Sequence, residues 1–597
     1  MIRINKTQSA VYIAFWTLLL FYLDALTTNF MKPPQYDFII VGGGTAGCLL
    51  AARLSEIPEW NVLLLEAGGE ETFLHDIPLL APLFILSPSS WGYMAERNDT
   101  FGLGLRDGRL IWPRGKVLGG SSVINAMIYT RGNRRDFDYW EELGNTNWSY
   151  DKVLPYFLKH EKINIPELFN DTKYHSREGN LEVTYPPHST LLSTAFVNAG
   201  IEKGYGYIDY NAADQIGFSH IQTTTKNGSR FSSYRAFLES VKDRKNLRIR
   251  TRSFVTKILI DSDNKTAYGV EYTWYWLLPL RAHARKEVIL SGGSTNSPQL
   301  LMLSGIGPKE HLRKLDIPVI VDSKVGHNLQ DHVSLLSLFF TVNSSVDIRL
   351  RKPIHVVGSL TRYFMEGAGE FTTPSGFEAI SFLDVGNDSF SEIELFFSGQ
   401  LLPAIPLYLS RFGVLSDSFN KFYKPLKSLH GFTILPILLR PYSAGKLELK
   451  DKRSHSHPLI YPNYFSDSRD MAILIKAIKM AVGLLETRSF KKYGAQLYRE
   501  PLPPCKGHEF QSDEYWECAI RYTTVSIQHS VGTCKMGPDY DPDAVVDPRL
   551  RVRGIDRLRV VDASIMPSIT SGHTMAPVYM IAEKAADMIK TDWTEND

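Results

Sequence analysis

Cysteine is scarce in this chain, with four in 597 residues. That scarcity excludes a disulfide-dense scaffold, the usual remedy of secreted domains with too small a core. No Cys/His spacing has the pattern of a structural zinc site, and the "HSH" at His455–His457 reads as a solvated loop. Charge of one sign is lacking too. Sixty-six Lys and Arg against 64 Asp and Glu leave a formal net charge of +2, so nothing marks the chain for nucleic acid. Internal repeats and low-complexity tracts are absent, which excludes solenoids, propellers and disordered arrays. At this length one compact core is not expected, and the chain should divide into domains.

Long apolar runs are missing as well. The N-terminal one, Ala10–Leu23, has 14 residues, short of the roughly 20 that cross a bilayer. Arg3 and Lys6 precede it, and the small residues Ala25 and Thr27 follow. The pattern reads as a secretory signal over residues 1–27, with an uncleaved signal-anchor as the alternative, and no stable membrane span is expected after cleavage. Beyond the N-terminal segment 1–27, seven Asn-x-Ser/Thr sequons, beginning at Asn98, Asn147, Asn170, Asn227, Asn264, Asn343 and Asn387, fit a secreted glycoprotein. Cys505 and Cys518 lie 13 residues apart in a polar stretch and either pair or stay free. Cys48 falls in a predicted buried helix and Cys534 among small residues.

What is present begins at Tyr36 with "YDFIIVGGGTAGCLLAARLSE". Phe38–Val41 reads as a short buried strand, Gly42, Gly44 and Gly47 supply G-x-G-x-x-G at its end, and Ala46 to Leu54 reads as a helix. "NVLLLEAGG" is a second strand ending at Glu66, 19 residues beyond Gly47. A glycine triplet alone is a weak signal, but within one βαβ unit that ends in an acid it points to a dinucleotide. Gly42 permits the tight turn, Gly44 lets backbone approach a pyrophosphate, and Gly47 lets helix pack on strand. Thr45 and Ala46 open the helix toward the phosphates. Glu66, followed by Ala67, can accept hydrogen bonds from a ribose diol, which argues against a 2′-phosphate. The fingerprint does not separate NAD from FAD.

"GKVLGGSSVINAMIYTRGNRRDFDYW" from Gly115 and "GSTNSPQLLMLSGIG" from Gly293 to Gly307 bear on that choice. Both resemble the two signature motifs of the glucose–methanol–choline (GMC) family of FAD-dependent oxidoreductases. "VGHNLQDH" (Val325–His332), "PLIYPNYFSD" (Pro458–Asp467) and "VVDPRLRVRGIDRLRVVDASIMP" (Val545–Pro567) match in family order, over about residues 35 to 592, and the wording is most like the secreted insect glucose-dehydrogenase-like branch. The resemblance implies an α/β fold: a Rossmann-like FAD domain built from discontinuous segments, and an α+β substrate domain with an antiparallel sheet. It implies an FAD-binding part over 34–335, mainly the substrate domain over 336–525, and a C-terminal segment, 526–597, returning to the FAD. Gly119, Gly120, Ser121 and Asn125 match positions around the flavin and its ribityl chain, Val255 a backbone contact to the adenine, and Asp562 and Ala563 the return to the pyrophosphate and ribityl region. Some relatives attach the flavin through a histidine where this chain has Val123, so non-covalent FAD is implied. Read by itself, "SPQLLMLSGIG" is a helix with Pro298 in its first turn.

Two histidines carry the implied chemistry. His529 in "IQHSVGTCKMG" matches the family's catalytic histidine, and His573 in "SGHTMAP" its second catalytic position. Oxidising an alcohol removes a hydroxyl proton and a hydride, and an imidazole suits the proton near neutral pH. His529 is assigned as the main base and His573 as the group that orients the alcohol oxygen and shares the proton, with the reverse assignment as the alternative. The chain departs from the family pattern at Gln528, where an aromatic is usual, at Ser530, which replaces a proline, at the second catalytic segment, and at Ala444, often an arginine. The apolar stretch from Glu392 to Leu439 packs over the flavin or lines a pocket for a sterol-like, aryl or allylic alcohol. A sugar dehydrogenase and a non-redox flavin-binding or lyase-like protein are the alternatives. The expected partners are an alcohol and an electron acceptor, whether a quinone, a dye-like acceptor or dioxygen, with no metal.

Overall fold

The computed structural model describes residues 16–17, 33–348, 353–386, 390–404 and 421–594. Most of the signal segment, the Asn387 sequon and the apolar residues 405–420 lie outside the described residues.

The βαβ unit that opens the chain forms as read. Gln35–Val41 and Val62–Leu65 pair in parallel with Phe38 opposite Val62, and Thr45–Leu54 is the helix between them. Phe38–Val41 and Val62–Leu65 are apolar and buried throughout because both faces of the sheet are covered. Gly47 is dictated by contact: a Cβ there would lie 1.9 Å from the Gly42 carbonyl oxygen. The sheet runs Leu247–Arg250, Val62–Leu65, Gln35–Val41, Leu278–Leu290, Thr266–Trp274, Ser253–Asp261. Leu558–Val560 joins Leu278–Leu290 in parallel from the far end of the sequence, with Leu290 opposite Val560. One long strand thus brings the first and last segments of the chain to one sheet.

The second sheet is antiparallel, with Gln496–Leu497, Phe339–Thr341, Gly431–Leu438, Ile393–Ser398, Phe377–Leu383 and Gly217–His220 in order, and Val333–Leu335 and Thr524–Ser526 added beside Gly431–Leu438. Ile393–Ser398 and Gly431–Leu438 are buried at every position. Helices Leu191–Glu202 and Ser468–Gly483 pack on this sheet, while Phe377, Phe396 and Leu435 face a cleft. Because Gly217–His220 and Val333–Leu335 belong to this sheet, segments 34–335 and 336–525 interleave in space.

The helix after Leu278–Leu290 begins earlier than its proline suggests, at Gly293, and runs to Leu303 with Pro298 inside it. Proline lacks the N–H that would bond to the Ser294 carbonyl. The hydroxyl of Thr533 donates to that carbonyl instead, at 2.7 Å. Cys505 and Cys518 are joined, tying the turn Pro503–Cys505 to helix Asp513–Thr523, whereas Cys48 and Cys534 are buried thiols. Among the described residues no helix is long and apolar enough to cross a membrane.

Candidate active site

A cleft with about 2090 Å³ of empty space, mouth included, is lined by residues of both sheets. Gly42, Gly44, Thr45, Ala46, Glu66, Ala67, Gly120, Ser121, Asn125, Val255, Asp562 and Ala563 all lie on its wall. So do both histidines, from segments 44 residues apart. Two expected residues do not reach the wall. Gly47 lies behind it, against Gly42, and a Cβ on Gly119 would meet Val123 Cγ2 at 2.6 Å, so these two glycines shape the wall without forming it.

The wall fits a dinucleotide on its own geometry. The N-terminus of Thr45–Leu54 opens on the cleft with no capping side chain and no acid in its first turn, which leaves backbone N–H groups and the positive end of the helix dipole for an anion. Facing it, Gly120 sits at φ +57°, and a Cβ there would lie 2.6 Å from Gly44 Cα. Only glycine backbone permits that approach. Glu66 accepts the N–H groups of Gly43 at 2.8 Å and Gly68 at 2.7 Å, and each oxygen keeps a lone pair for a diol. Burial pushes its carboxyl up to about 7 against these hydrogen bonds. The Asp562 carboxylate accepts from the Gly293 N–H, the Ser297 hydroxyl and the Ser564 N–H, which fixes where Ala563 meets the cleft.

The rings of His529 and His573 lie 4.5 Å apart between centroids. Around His529 the residues unlike the family pattern are tied down by side chains. Gln528 adopts left-handed backbone, φ +70°; its carbonyl accepts from Arg114, and its N–H donates to Ser526 at 2.9 Å. Ser530 shares a 2.8 Å hydrogen bond with Ser294. The N–H of His529 donates to Asp331 at 2.7 Å, and the other oxygen of that buried carboxylate accepts from Ser526 and Tyr464. These bonds do the work that a proline's fixed φ would otherwise do.

Sequence reasoning did not find three groups beside the pair. Asp331 is one. His332, fully buried, places Nδ1 2.9 Å from Nδ1 of His529 and Nε2 2.9 Å from the Leu439 carbonyl. Glu394, also fully buried, places a carboxylate oxygen 3.0 Å from Nε2 of His573. Asp331 and His332 end the "VGHNLQDH" motif, which was the signal available; Glu394 had none. Burial pushes the imidazole of His529 well below its ordinary range, and His573, His332 and Arg114 add to the effect. Helix Met575–Thr594 starts beside His573, with Met575 and Val578 on the cleft wall, so its positive end faces the cleft. The ring of Phe396 stands edge-on to His573, with centroids 5.3 Å apart. The cleft wall also carries the apolar Pro82, Ile85, Ile124, Phe377 and Leu435 beside the polar Asn125, Ser526, Gln528 and Thr574.

Comparison with known proteins agrees with this geometry. Family models described as GMC oxidoreductase match residues 36–334 and 441–582. Glucose dehydrogenase [FAD, quinone] of Drosophila pseudoobscura pseudoobscura is 40% identical over 95% of this chain and 89% of its own length. Ecdysone oxidase of Bombyx mori is 35% identical over 94% of this chain and 82% of its own. The structure of an Aspergillus oryzae formate oxidase variant superposes with a TM-score of 0.81 at 27% identity, covering 94% of this chain and 99% of that one. With its paired family models, its two-sheet fold and a cleft that fits the dinucleotide, this chain belongs to the GMC oxidoreductases and is an FAD-dependent enzyme that oxidises CH–OH donors.

Proposed function

We propose that the enzyme oxidises an apolar alcohol, sterol-like, aryl or allylic, with His529 as the base that takes the hydroxyl proton and His573 as the group that orients the alcohol oxygen. One observation carries the reading: two imidazoles 4.5 Å apart on a cleft wall whose side chains include Phe377, Phe396 and Leu435, with Phe396 packed against His573. Gly42, Gly44, Thr45, Ala46, Glu66, Gly120, Ser121, Asn125, Val255 and Ala563 would hold the FAD, without a covalent bond, because Val123 stands where some relatives carry the attaching histidine. FAD, when bound, supplies the acceptor for the hydride that leaves the carbinol carbon. His529, kept neutral by burial, receives the proton from the alcohol oxygen, a contribution of roughly 10²–10⁴ in rate. Glu394 holds His573 by its Nε2, so the ring is presented to the alcohol in one orientation. A quinone is the proposed electron acceptor, as the printed name of the fly relatives has it for those proteins.

The same relatives support a second reading, a sugar as donor, through 40% identity to a glucose dehydrogenase. Secretion is part of the proposal. Asn147, Asn170, Asn227, Asn264 and Asn343 are exposed, as glycan acceptors must be, and the Cys505–Cys518 bond suits an oxidising compartment. The test is an anaerobic absorbance spectrum of the purified flavoprotein while glucose, choline, benzyl alcohol and ecdysone are added one at a time. Bleaching by benzyl alcohol or ecdysone alone supports the apolar reading. Bleaching by glucose overturns it in favour of the sugar, and a flavin bleached by none of the four overturns both.

A further inference from the structure

We infer that His332 is a positioning residue that selects the tautomer of His529, so that the lone pair on Nε2 of His529 is free for the alcohol proton. The inference rests on His529 being the base.

A carbonyl oxygen only accepts, so the 2.9 Å contact between His332 Nε2 and the Leu439 carbonyl requires the hydrogen on Nε2. A neutral imidazole carries one ring hydrogen, and its other nitrogen presents a lone pair. His332 is neutral: it is fully buried, no carboxylate bonds it, and burial, aided by His573, outweighs the backbone of Leu439 and Thr570 and pushes its imidazole down to about 3. Its Nδ1 is therefore an acceptor, and what lies 2.9 Å away is Nδ1 of His529. The bond between them forms only if His529 carries its hydrogen on Nδ1. Nε2 of His529 is then bare. The two rings stand at 89°, with centroids 5.1 Å apart, so the contact joins ring edges and is no stack.

The fold secures each link. Val333 pairs with Ser526 in the antiparallel sheet, and the N–H of Ile527 donates to the His332 carbonyl at 2.9 Å. That register sets His332 beside the residues leading into His529. On the other side, the Leu439 N–H is held by the Glu392 carbonyl at 2.9 Å, at the end of strand Gly431–Leu438. The carbonyl that begins the relay is thus part of a sheet edge and does not turn away. His573 differs: its Nε2 faces a carboxylate, that of Glu394. One imidazole is backed by a neutral acceptor and the other by an anion, so the two are not interchangeable.

A carboxylate in the place of His332 would select the same tautomer but would also stabilise the protonated ring. The neutral relay sets the tautomer without adding a buried negative charge next to the base.

The test reads the tautomer directly. Holoprotein labelled with ¹⁵N-histidine is examined by NMR at neutral pH, with His529 assigned by the signals lost in His529→Asn. The expected spectrum has a protonated Nδ1 and an unprotonated Nε2 at His529. In His332→Leu this preference is lost. In His332→Gln, whose amide can accept from His529 and donate to Leu439, it is retained. Reduction of the flavin by the most reactive of the four alcohols is followed alongside. His332→Leu should slow it by about 10²–10⁴-fold, the range for a mispositioned base, with alcohol affinity unchanged, and His332→Gln should restore most of the rate. A protonated Nε2 at His529 in the wild-type protein overturns the inference even if no His332 variant folds, as does an unchanged tautomer in His332→Leu. His529→Ala tests the underlying reading by itself: if it reduces as fast as wild type, the base assignment fails, whatever the tautomer.

Discussion

Asp331→Ala should uncouple His529 from the cleft wall. The buried carboxylate accepts three hydrogen bonds, from the His529 N–H at 2.7 Å, the Ser526 hydroxyl at 2.6 Å and the Tyr464 hydroxyl. Hydrogen bonds to a charged acceptor contribute about 1.5–3 kcal/mol each, but they are not additive, and water relieves part of the loss, so the expected total is about 3–5 kcal/mol. The effect on catalysis follows from position. Gln528 is in left-handed backbone, which is unfavourable by about 1–2 kcal/mol for a residue with a Cβ. Once Asp331 releases His529, that strain has a route to relax, and a shift of about 1 Å in a catalytic group lowers rate by about 10²-fold. Asp331→Asn keeps one oxygen for the His529 N–H and should fall between. The assays are thermal unfolding of the holoprotein and anaerobic flavin reduction by the preferred alcohol. A variant that is destabilised yet reduces at the wild-type rate would refute the tether as a catalytic element, and one of unchanged stability would refute the energetics.

Gly47→Ala should yield protein without flavin, read from the absorbance of the purified chain, because the new Cβ would sit 1.9 Å from the Gly42 carbonyl oxygen and must displace the phosphate turn. With His529 as the proposed base, the acid limb of the kcat/KM profile should lie below pH 6.5, since burial first and then His573, His332 and Arg114 lower its pKa and a base is lost only on protonation. His175 gives a stability prediction of the opposite sense. Burial opposes its protonation, yet hydrogen bonds to Asp209 at 2.6 Å and Glu161 at 2.7 Å outweigh it and raise it to about 9. A raised histidine stabilises fully below its unfolded pKa near 6.5, so on the order of 3 kcal/mol should be lost as pH rises from about 6.5 through 9, read as a falling melting temperature that His175→Gln does not show. Cys505→Ser with Cys518→Ser should cost about 3 kcal/mol, the chain-entropy value for a loop of this size, and a reductant should lower the wild-type melting temperature in the same way.

What was legible in the sequence was local. The Tyr36–Glu66 unit could be read because its strand, turn and helix lie within one contiguous stretch and each glycine answers a steric demand there. The histidines were legible through their motifs, and the cleft brings both to one wall. Asp331 and His332 come to His529 only through the pairing of Val333 with Ser526, almost two hundred residues away, and no periodicity encodes that register. Glu394 reads as one acid in an apolar strand. Its contact with His573 depends on Ile393–Ser398 sitting inside the second sheet. Gly119 lies behind the cleft wall, and a glycine that shapes a wall and one that forms it look alike in sequence. The early start of the Gly293–Leu303 helix was hidden for a similar reason: the hydroxyl that relieves Pro298 belongs to Thr533.

The central claim is that His529 takes the alcohol proton in a cleft that holds FAD. The most direct measurement compares wild type and His529→Ala, both loaded with flavin, in anaerobic single-turnover reduction by the preferred alcohol. The account predicts an unchanged flavin spectrum and a reduction rate lower by about 10²–10⁴-fold. Equal rates in the two proteins would contradict it.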